Sequence, residues 1–357
     1  MTGHLDYDTL VVGGGQAGLA LGYHLSRAGV RFAVLDAHGR VGDAWRHRWD
    51  SLTLFTPRRY DGLPGLPFPG DPDGHPGKDE VADYLEAYAE RFALPVRLGC
   101  HVTAVRPEGE RFLVETSTGA YTATRVVVAA GAFHTPRTPG FASSLDPGVT
   151  QVHSTGYRRP DQLPMGEILV VGAGNTGVQI AEELAGSGRR VLLSVSSMGR
   201  ALPQRVLGRD LFWWFSRLGF MDIRGDSGIG RRVRSRELII GTDVKRLLRR
   251  VERVDRAVSA EGRDVVLADG RRVRPDGVVW ATGFRAHYPW LHVPVLDERG
   301  APVHREGVTP WPGLYFLGLP WQRTRGSSVL GWVGRDAHAL AERLTAATSP
   351  AESLIAP

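Results

Sequence analysis

Glycines spaced for a phosphate cradle occur twice in this 357-residue chain. The first set is Gly13, Gly15 and Gly18 in Gly13-Gly14-Gly15-Gln16-Ala17-Gly18, and the second is Gly172, Gly174 and Gly177 in Gly172-Ala173-Gly174-Asn175-Thr176-Gly177. In such a turn the first glycine takes the sharp bend, the second lets the backbone approach a pyrophosphate, and the third lets helix pack on strand. A helix opening at the turn aims its free N–H groups and positive dipole end at the phosphates. One such turn is weak evidence in a chain with 45 glycines; its context strengthens it. Asp36 stands eighteen residues past Gly18, close to the roughly 20 expected for an acid on ribose hydroxyls, which selects an unphosphorylated ribose as in FAD or NAD. The second turn has no such acid. After Arg190-Val191-Leu192-Leu193 come Ser194, Ser196, Ser197 and then Arg200, hydroxyls and a guanidinium that suit a ribose 2′-phosphate, and NADP is expected there. A solvated surface arginine is the plainer reading of Arg200.

The elements that must hold these residues are legible around them. Thr9-Leu10-Val11-Val12 and Glu167-Ile168-Leu169-Val170-Val171 read as buried strands running into the glycines, and Ala17 to Ala28 and Val178 to Ala185 as the helices that leave them. Arg31 to Leu35 supplies the second strand of the first unit. Asp79 to Ala93 has helical spacing of Val81, Tyr84, Leu85, Tyr88 and Phe92. Hairpin-like strands follow at Val96 to Val105 and Phe112 to Thr116, and Tyr121 to Ala130 returns beneath the first turn, ending at Ala130-Gly131. A hairpin is predicted around Asp269-Gly270, and a last helix over Ala337 to Ala346. The Pro/Gly-rich Leu63 to Gly70 reads as an ordered loop lining a pocket. The fold class is therefore α/β, with two Rossmann-like, three-layer dinucleotide-binding domains. The second is inserted in a split first: residues 1–158 and 285–357 for FAD, 159–284 for NADP.

Composition removes several classes. The net charge of +6 comes from 42 arginines, with Lys78 and Lys245 the only lysines; they are scattered over every kind of element and no nucleic-acid module is present. The lone Cys100 forbids an internal disulfide or a CxxC redox pair. No apolar run approaches the roughly 18 residues of a membrane helix, and the first residues lack a signal-peptide pattern. The expectation is a cytoplasmic protein with no integral membrane association and no metal site, and with a homo-oligomer compatible.

The whole pattern resembles the class B flavin-dependent monooxygenase group, meaning flavin-containing monooxygenases and especially the YUCCA-type and bacterial CzcO-like NAD(P)/FAD-dependent oxidoreductases. The match is carried by both glycine turns with Asp36, Gly42-x-x-Trp45, Ser51-Leu52 to Thr56, Lys78-Asp79-Glu80 to Tyr84-Leu85 and His153-Ser154-x-x-Tyr157. It continues through Ala281-Thr282-Gly283-Phe284 and Gly313 to Gly318. The family fingerprint FxGxxxHxxxY survives only as His153 and Tyr157, its Phe and Gly falling on Pro147 and Val149. Tyr157 in place of Trp, with no Pro-Gly after Trp49, argues against a Baeyer–Villiger enzyme. Phe55 stands where many relatives carry an Asn near the flavin.

What the resemblance implies is an NADPH-dependent FAD monooxygenase. NADPH reduces FAD, a flavin C4a-(hydro)peroxide forms with dioxygen, and a small organic substrate is oxygenated, by N- or S-oxygenation or by YUCCA-like oxidative decarboxylation of a 2-oxo acid. The alternative is a two-electron NADPH:acceptor oxidoreductase of the same fold, a quinone or iron-carrier reductase or an NADPH oxidase. Because the cofactor does the chemistry, no acid/base dyad is required; the candidates near it are Phe55, His153, Tyr157 and Asn175. Cofactor contacts are implied for Gln16, Ala17, Gly42, Trp45, Thr56, Val102, Ala130, Gly131, Thr176, Ala281, Thr282, Gly283, Gly318 and Leu330. Trp321, Gln322 and Trp332 are pocket candidates. The aromatic segment Leu211 to Phe220, followed by the basic Arg231 to Arg236, is expected to pack between domains, with a lid or a membrane-surface patch as alternatives.

Overall fold

The β-branched runs that precede the two glycine turns become the central strands of two separate sheets. The computed structural model describes residues 5–132, 135–234 and 238–346. In the first sheet β1 (Leu5–Val12) leads through the turn into α1 (Gln16–Arg27) and β2 (Phe32–Leu35). Helix α2 (Lys78–Arg91) follows, then β3 (Val96–Arg97), β4 (Val102–Glu108), β5 (Arg111–Thr116) and β6 (Gly119–Val128). The order is β3-β2-β1-β6-β5-β4, with the strand Leu314–Phe316 also on β6. β1 pairs parallel with β2 and β6, whereas β4 to β6 form an antiparallel meander. The four residues of β2 and the last four of β1 are buried, as strands covered on both faces must be. The expected strand Val96 to Val105 is broken into β3 and β4, because Gly99 and Cys100 turn to bond the backbone of His38 and Asp36 instead.

The second sheet is wholly parallel, in the order β10-β9-β8-β11-β7. Its members are β7 (Thr150–His153), β8 (Glu167–Val171), β9 (Arg190–Ser194), β10 (Glu252–Val254) and β11 (Gly277–Trp280), with α3 (Asn175–Gly186) between β8 and β9. Residues 150–153, expected within the first unit, form the edge of this sheet, so the chain crosses over before Thr150. The crossover is packed: Phe141 meets Trp280 edge-on at 5.8 Å between ring centres, and Ala142, Leu145 and Val149 join the same core. The hairpin around Asp269-Gly270 forms, as Asp264–Leu267 against Arg272–Val273.

Between β9 and β10 lies an insertion. It contains α4 (Leu211–Arg217), a second short helix over Gly228–Arg234, and a two-residue ladder joining Arg200–Ala201 to Leu238–Ile239. Arg236 lies outside the described residues. The final helix α5 (Val333–Ala346) begins four residues earlier than predicted and packs Ala337, Leu340 and Leu344 against the core that holds α1. Among the described residues no helix is long and apolar enough to cross a membrane, and no group of His, Cys, Asp or Glu could hold a metal ion.

Candidate cofactor and substrate site

The two turns are built alike. Gly13 has φ +112°, and a Cβ there would lie 2.5 Å from the Ala129 carbonyl oxygen; Gly172 has φ +106°, with the Ala281 oxygen 2.3 Å away. Only glycine is tolerated at either bend. Gly18 and Gly177 are filled positions too, each Cβ meeting the oxygen of the turn's first glycine at 2.0 Å. Gly15 and Gly174 differ from both. Their φ values, −78° and −71°, are open to any residue, and a Cβ would meet nothing within 4 Å. Neither backbone nor packing calls for glycine there. Both residues cap helices, α1 and α3, that have no side-chain cap and no acid in the first turn. Two uncapped helix ends, each behind an open cradle, present the free N–H groups and positive dipole end that suit an anion.

The second strands end in register but not in chemistry. Gly13 N–H donates to Leu35 O and Asp36 N–H to Arg97 O; Gly172 N–H donates to Ser194 O and Val195 N–H to Val254 O. Val195 thus stands where Asp36 stands. The Asp36 carboxylate is held at the first turn, with Oδ2 accepting from Gly14 N–H at 2.6 Å and Oδ1 from His38 N–H at 2.8 Å. Val195 is buried and brings no acceptor. Ser194 does not join the second site as expected. Its hydroxyl donates to Asp255 O at 3.0 Å and accepts from Ala257 N–H at 2.9 Å, because a buried hydroxyl between two strands must satisfy both of its capacities. Ser196 and Arg200 are exposed beyond the strand end.

The other expected contacts fall into groups. At the first turn, Gln16 Oε1 accepts from Trp45 Nε1 at 3.4 Å, Ala130 and Gly131 follow β6 beside Gly13, and Gly318 presses on Ala17. Gly42 is required by packing, since a Cβ there would lie 2.5 Å from the Ala82 oxygen in α2. Val102 opens β4 two residues past Cys100, whose N–H donates to Asp36 O. Leu330 is buried in the core beneath α1. At the second turn, Thr176 lies in the first turn of α3, Ala281 and Thr282 follow β11 beside Gly172, and Thr282 Oγ1 donates to Arg137 O. Asn175 is engaged within the fold. Its Nδ2 donates to Leu238 O at 3.2 Å and its Oδ1 accepts from Ile240 N–H at 2.8 Å, clamping the insertion to the start of α3.

His153 is half-buried and Tyr157 fully buried, and each links segments of the fold. Thr155 N–H donates to His153 Nδ1, so the proton sits on Nε2, which donates to Gly283 O at 3.2 Å. Burial holds this imidazole below its usual pKa, hence neutral. Tyr157 is fully buried in the second core and donates to Glu183 Oε2 at 2.7 Å, and burial pushes its pKa upward.

An aromatic cluster joins the two units. Phe212 of α4 stacks on Phe55 at 5.7 Å and leans on Trp332 at 6.1 Å, while Trp332 stacks on Tyr60 at 5.7 Å. Phe55 is therefore apolar wall, and α4 packs between the domains as expected. Trp332 also lines a cleft of about 450 Å³ with Tyr60, Leu63, Ser216, Arg59 and Arg335. Gln322 is not a pocket residue: Oε1 accepts from Leu319 N–H and Nε2 donates to Phe316 O.

Beside this cluster stands a polar group with no motif to announce it. Asp61 is fully buried; Thr56 Oγ1 donates to its Oδ1 at 2.6 Å, while Oδ2 has no partner. Burial pushes its pKa up to about 7, against the Thr56 bond and the nearby His75 and Arg58. The sequence offered only its place just before the Pro/Gly-rich Leu63 to Gly70 as a hint.

Two such turns in one chain fit an oxidoreductase that handles two dinucleotides. The chain belongs to the pyridine nucleotide-disulphide oxidoreductase family, whose match runs over residues 10–204, and within it to the class B flavin monooxygenase group. It is 46% identical over 337 residues to an uncharacterized CzcO-like oxidoreductase of Geobacillus kaustophilus, covering 93% of this chain and 97% of that one. A flavin-containing monooxygenase from Stenotrophomonas maltophilia superposes with a TM-score of 0.81 at 28% identity, over 96% of this chain and 99% of that one. Indole-3-pyruvate monooxygenase YUCCA1 of Oryza sativa subsp. japonica is 27% identical over 370 residues, covering 89% and 88%.

Proposed function

We propose that this oxidoreductase is an NADPH-dependent FAD monooxygenase acting on a small organic substrate and dioxygen in the cytoplasm, by N- or S-oxygenation or by oxidative decarboxylation of a 2-oxo acid. The observation that carries the cofactor assignment is the contrast between the two strand ends, Asp36 at one and Val195 with exposed Ser196 and Arg200 at the other. The residues fit both groups. At the first turn the open position over Gly15 and the uncapped α1 suit the pyrophosphate of FAD, and Asp36 retains acceptor capacity for ribose hydroxyls. At the second, Gly174 and α3 suit the pyrophosphate of NADPH, and the exposed Arg200 suits the 2′-phosphate.

When bound, NADPH supplies the electron pair and FAD passes it to dioxygen. The chain's part is to bind, orient and keep water out. Asn175 holds the insertion against the second turn, and His153 ties the end of β7 to Gly283 at the return between units. Phe55, Phe212 and Trp332 give the junction a dry, apolar wall, which protects a reactive oxygen species from water.

Stopped-flow mixing of the NADPH-reduced protein with oxygenated buffer tests the reading. The expected result is a transient absorbance band near the ultraviolet edge, distinct from oxidised and reduced flavin. Direct reoxidation without it, together with rapid reduction of quinones, would instead assign the chain as an NADPH:acceptor reductase.

A further inference from the structure

The insertion between β9 and β10 concentrates the charge of the chain. Residues 200–234 hold eight arginines against three aspartates, a net +5 in a protein of net +6. The three acids are engaged: Asp210 caps α4 by accepting from Phe212 N–H at 2.8 Å, Asp222 pairs with Arg335, and Asp226 pairs with Arg224 at 2.9 Å. Arg205, Arg209 and Arg217 are exposed. The same stretch exposes large apolar side chains, Leu207 at 86% and Leu218 at 74%. Scattered singly, such residues mean little; here they belong to one continuous face.

Arg205–Val206 pairs antiparallel with Arg209–Asp210, so Leu207 and Gly208 form a two-residue hairpin loop, with φ +49° and +75°. Two left-handed residues in succession favour asparagine followed by glycine, and a leucine there is strained. Neither the turn nor the packing calls for leucine at this exposed tip. Behind it, Trp214 Nε1 donates to Val206 O at 3.0 Å, and the Trp213 and Trp214 rings meet edge-on at 4.7 Å between centres. The Arg209 guanidinium lies 5.4 Å from the Trp213 ring centre. Leu218 follows Trp214 by one helical turn, its N–H donating to Trp214 O at 2.9 Å, and Arg217 follows Trp213 by the same spacing. Leu211, Phe212 and Phe215 bury the opposite face of α4. The outer face therefore carries two exposed leucines and two half-exposed indoles, with Arg205, Arg209 and Arg217 beside them.

We propose that this face of the insertion docks on an anionic lipid surface, with Leu207 entering the headgroup region, the indoles at its boundary and the arginines on lipid phosphates. Charge selects the partner. A second copy would set the same positive field against itself, and a nucleic acid offers the projecting leucines no apolar medium. A lipid interface yields to a projecting apolar tip without a matching groove, and tryptophan with arginine is the composition that suits it. At seven residues α4 is too short to span a membrane, so the contact is peripheral. The inference holds whichever reaction the protein catalyses.

The test is flotation of the FAD-loaded protein with vesicles of phosphatidylcholine alone and of phosphatidylcholine mixed with phosphatidylglycerol, at low and at physiological salt. Wild type should float with the mixed vesicles only, and less so as salt rises. Leu207→Asn, which installs the residue the turn favours, should leave the melting temperature at or above that of wild type and lower partitioning by about tenfold. Arg205→Gln with Arg217→Gln should lower it by about fivefold per arginine. Arg256→Gln with Arg274→Gln removes the same charge at exposed positions outside the insertion and should change it by less than about twofold. No flotation of wild type with the mixed vesicles would overturn the proposal, as would full partitioning of Leu207→Asn. An equal loss from the two arginine pairs would reduce the binding to overall charge and overturn it too. So would a dimer in sedimentation velocity that Leu207→Asn dissociates, which would give the face to a second copy.

Discussion

Replacing Asp61 by Asn should make the protein's stability less dependent on pH, and the size of the effect follows from the structure. The carboxyl is fully buried with Oδ2 unpartnered, and burial raises its pKa from 3.8 to about 7. Between those values the folded protein keeps a proton that the unfolded chain has released, so stability falls as pH rises through the window. Each unit of difference is worth about 1.4 kcal/mol. The ionised carboxyl therefore destabilises the fold by about 4 kcal/mol above the folded pKa, of which about 3 kcal/mol accrues between about pH 5 and pH 8. An amide carries no such proton, and Thr56 can still donate to its oxygen. Urea unfolding of both FAD-loaded proteins at the two pH values measures the effect as a change in the difference between them, so that His75 and other groups common to both cancel. The Asn protein should gain on wild type by about 3 kcal/mol from the lower to the higher pH. A difference that stays constant within about 0.5 kcal/mol would refute the reasoning and would mean that Asp61 ionises in the fold as it does in water.

Two further outcomes follow from the turns. Gly174→Ala should leave the melting temperature unchanged but weaken NADPH binding by about tenfold or more, because its Cβ meets only open space, whereas Gly177→Ala should unfold the domain, its Cβ lying 2.0 Å from Gly172 O; thermal melts with NADPH titrations separate the two. Arg200→Ala should raise KM for NADPH by about tenfold or more and leave KM for NADH nearly unchanged, as removal of a charged partner from a phosphate does; equal effects on both would show that Arg200 does not meet the 2′-phosphate.

Much of the candidate site was legible because its chemistry is local. Gly13, Gly15 and Gly18 act within one turn, and Asp36 follows at a distance set by one helix and one strand, so spacing along the chain translates directly into position. The second turn was equally legible, but the reading of its strand end was only partly right. Ser194 and Ser196 are two residues apart and both hydroxylic; the strand ends at Ser194, whose hydroxyl bonds Asp255 and Ala257, and Ser196 lies exposed beyond that end. The hydrogen bonds of Asn175 were hidden for a related reason. Its partners, Leu238 and Ile240, lie more than sixty residues away, and no pattern around the asparagine names them.

By itself, then, the sequence determined the two cradles, the acid at one and its absence at the other, and the α/β architecture that periodicity imposes on them. Tertiary structure alone decided what lies between. It moved the crossover to before Thr150 and made Phe55, Phe212 and Trp332 one wall. It also left one oxygen of the Asp61 carboxyl buried without a hydrogen-bond partner beside that wall. The physical reason is that burial and pairing are properties of contacts between segments distant in the chain, so a charge without a partner is visible only once every segment that could have supplied one is in place.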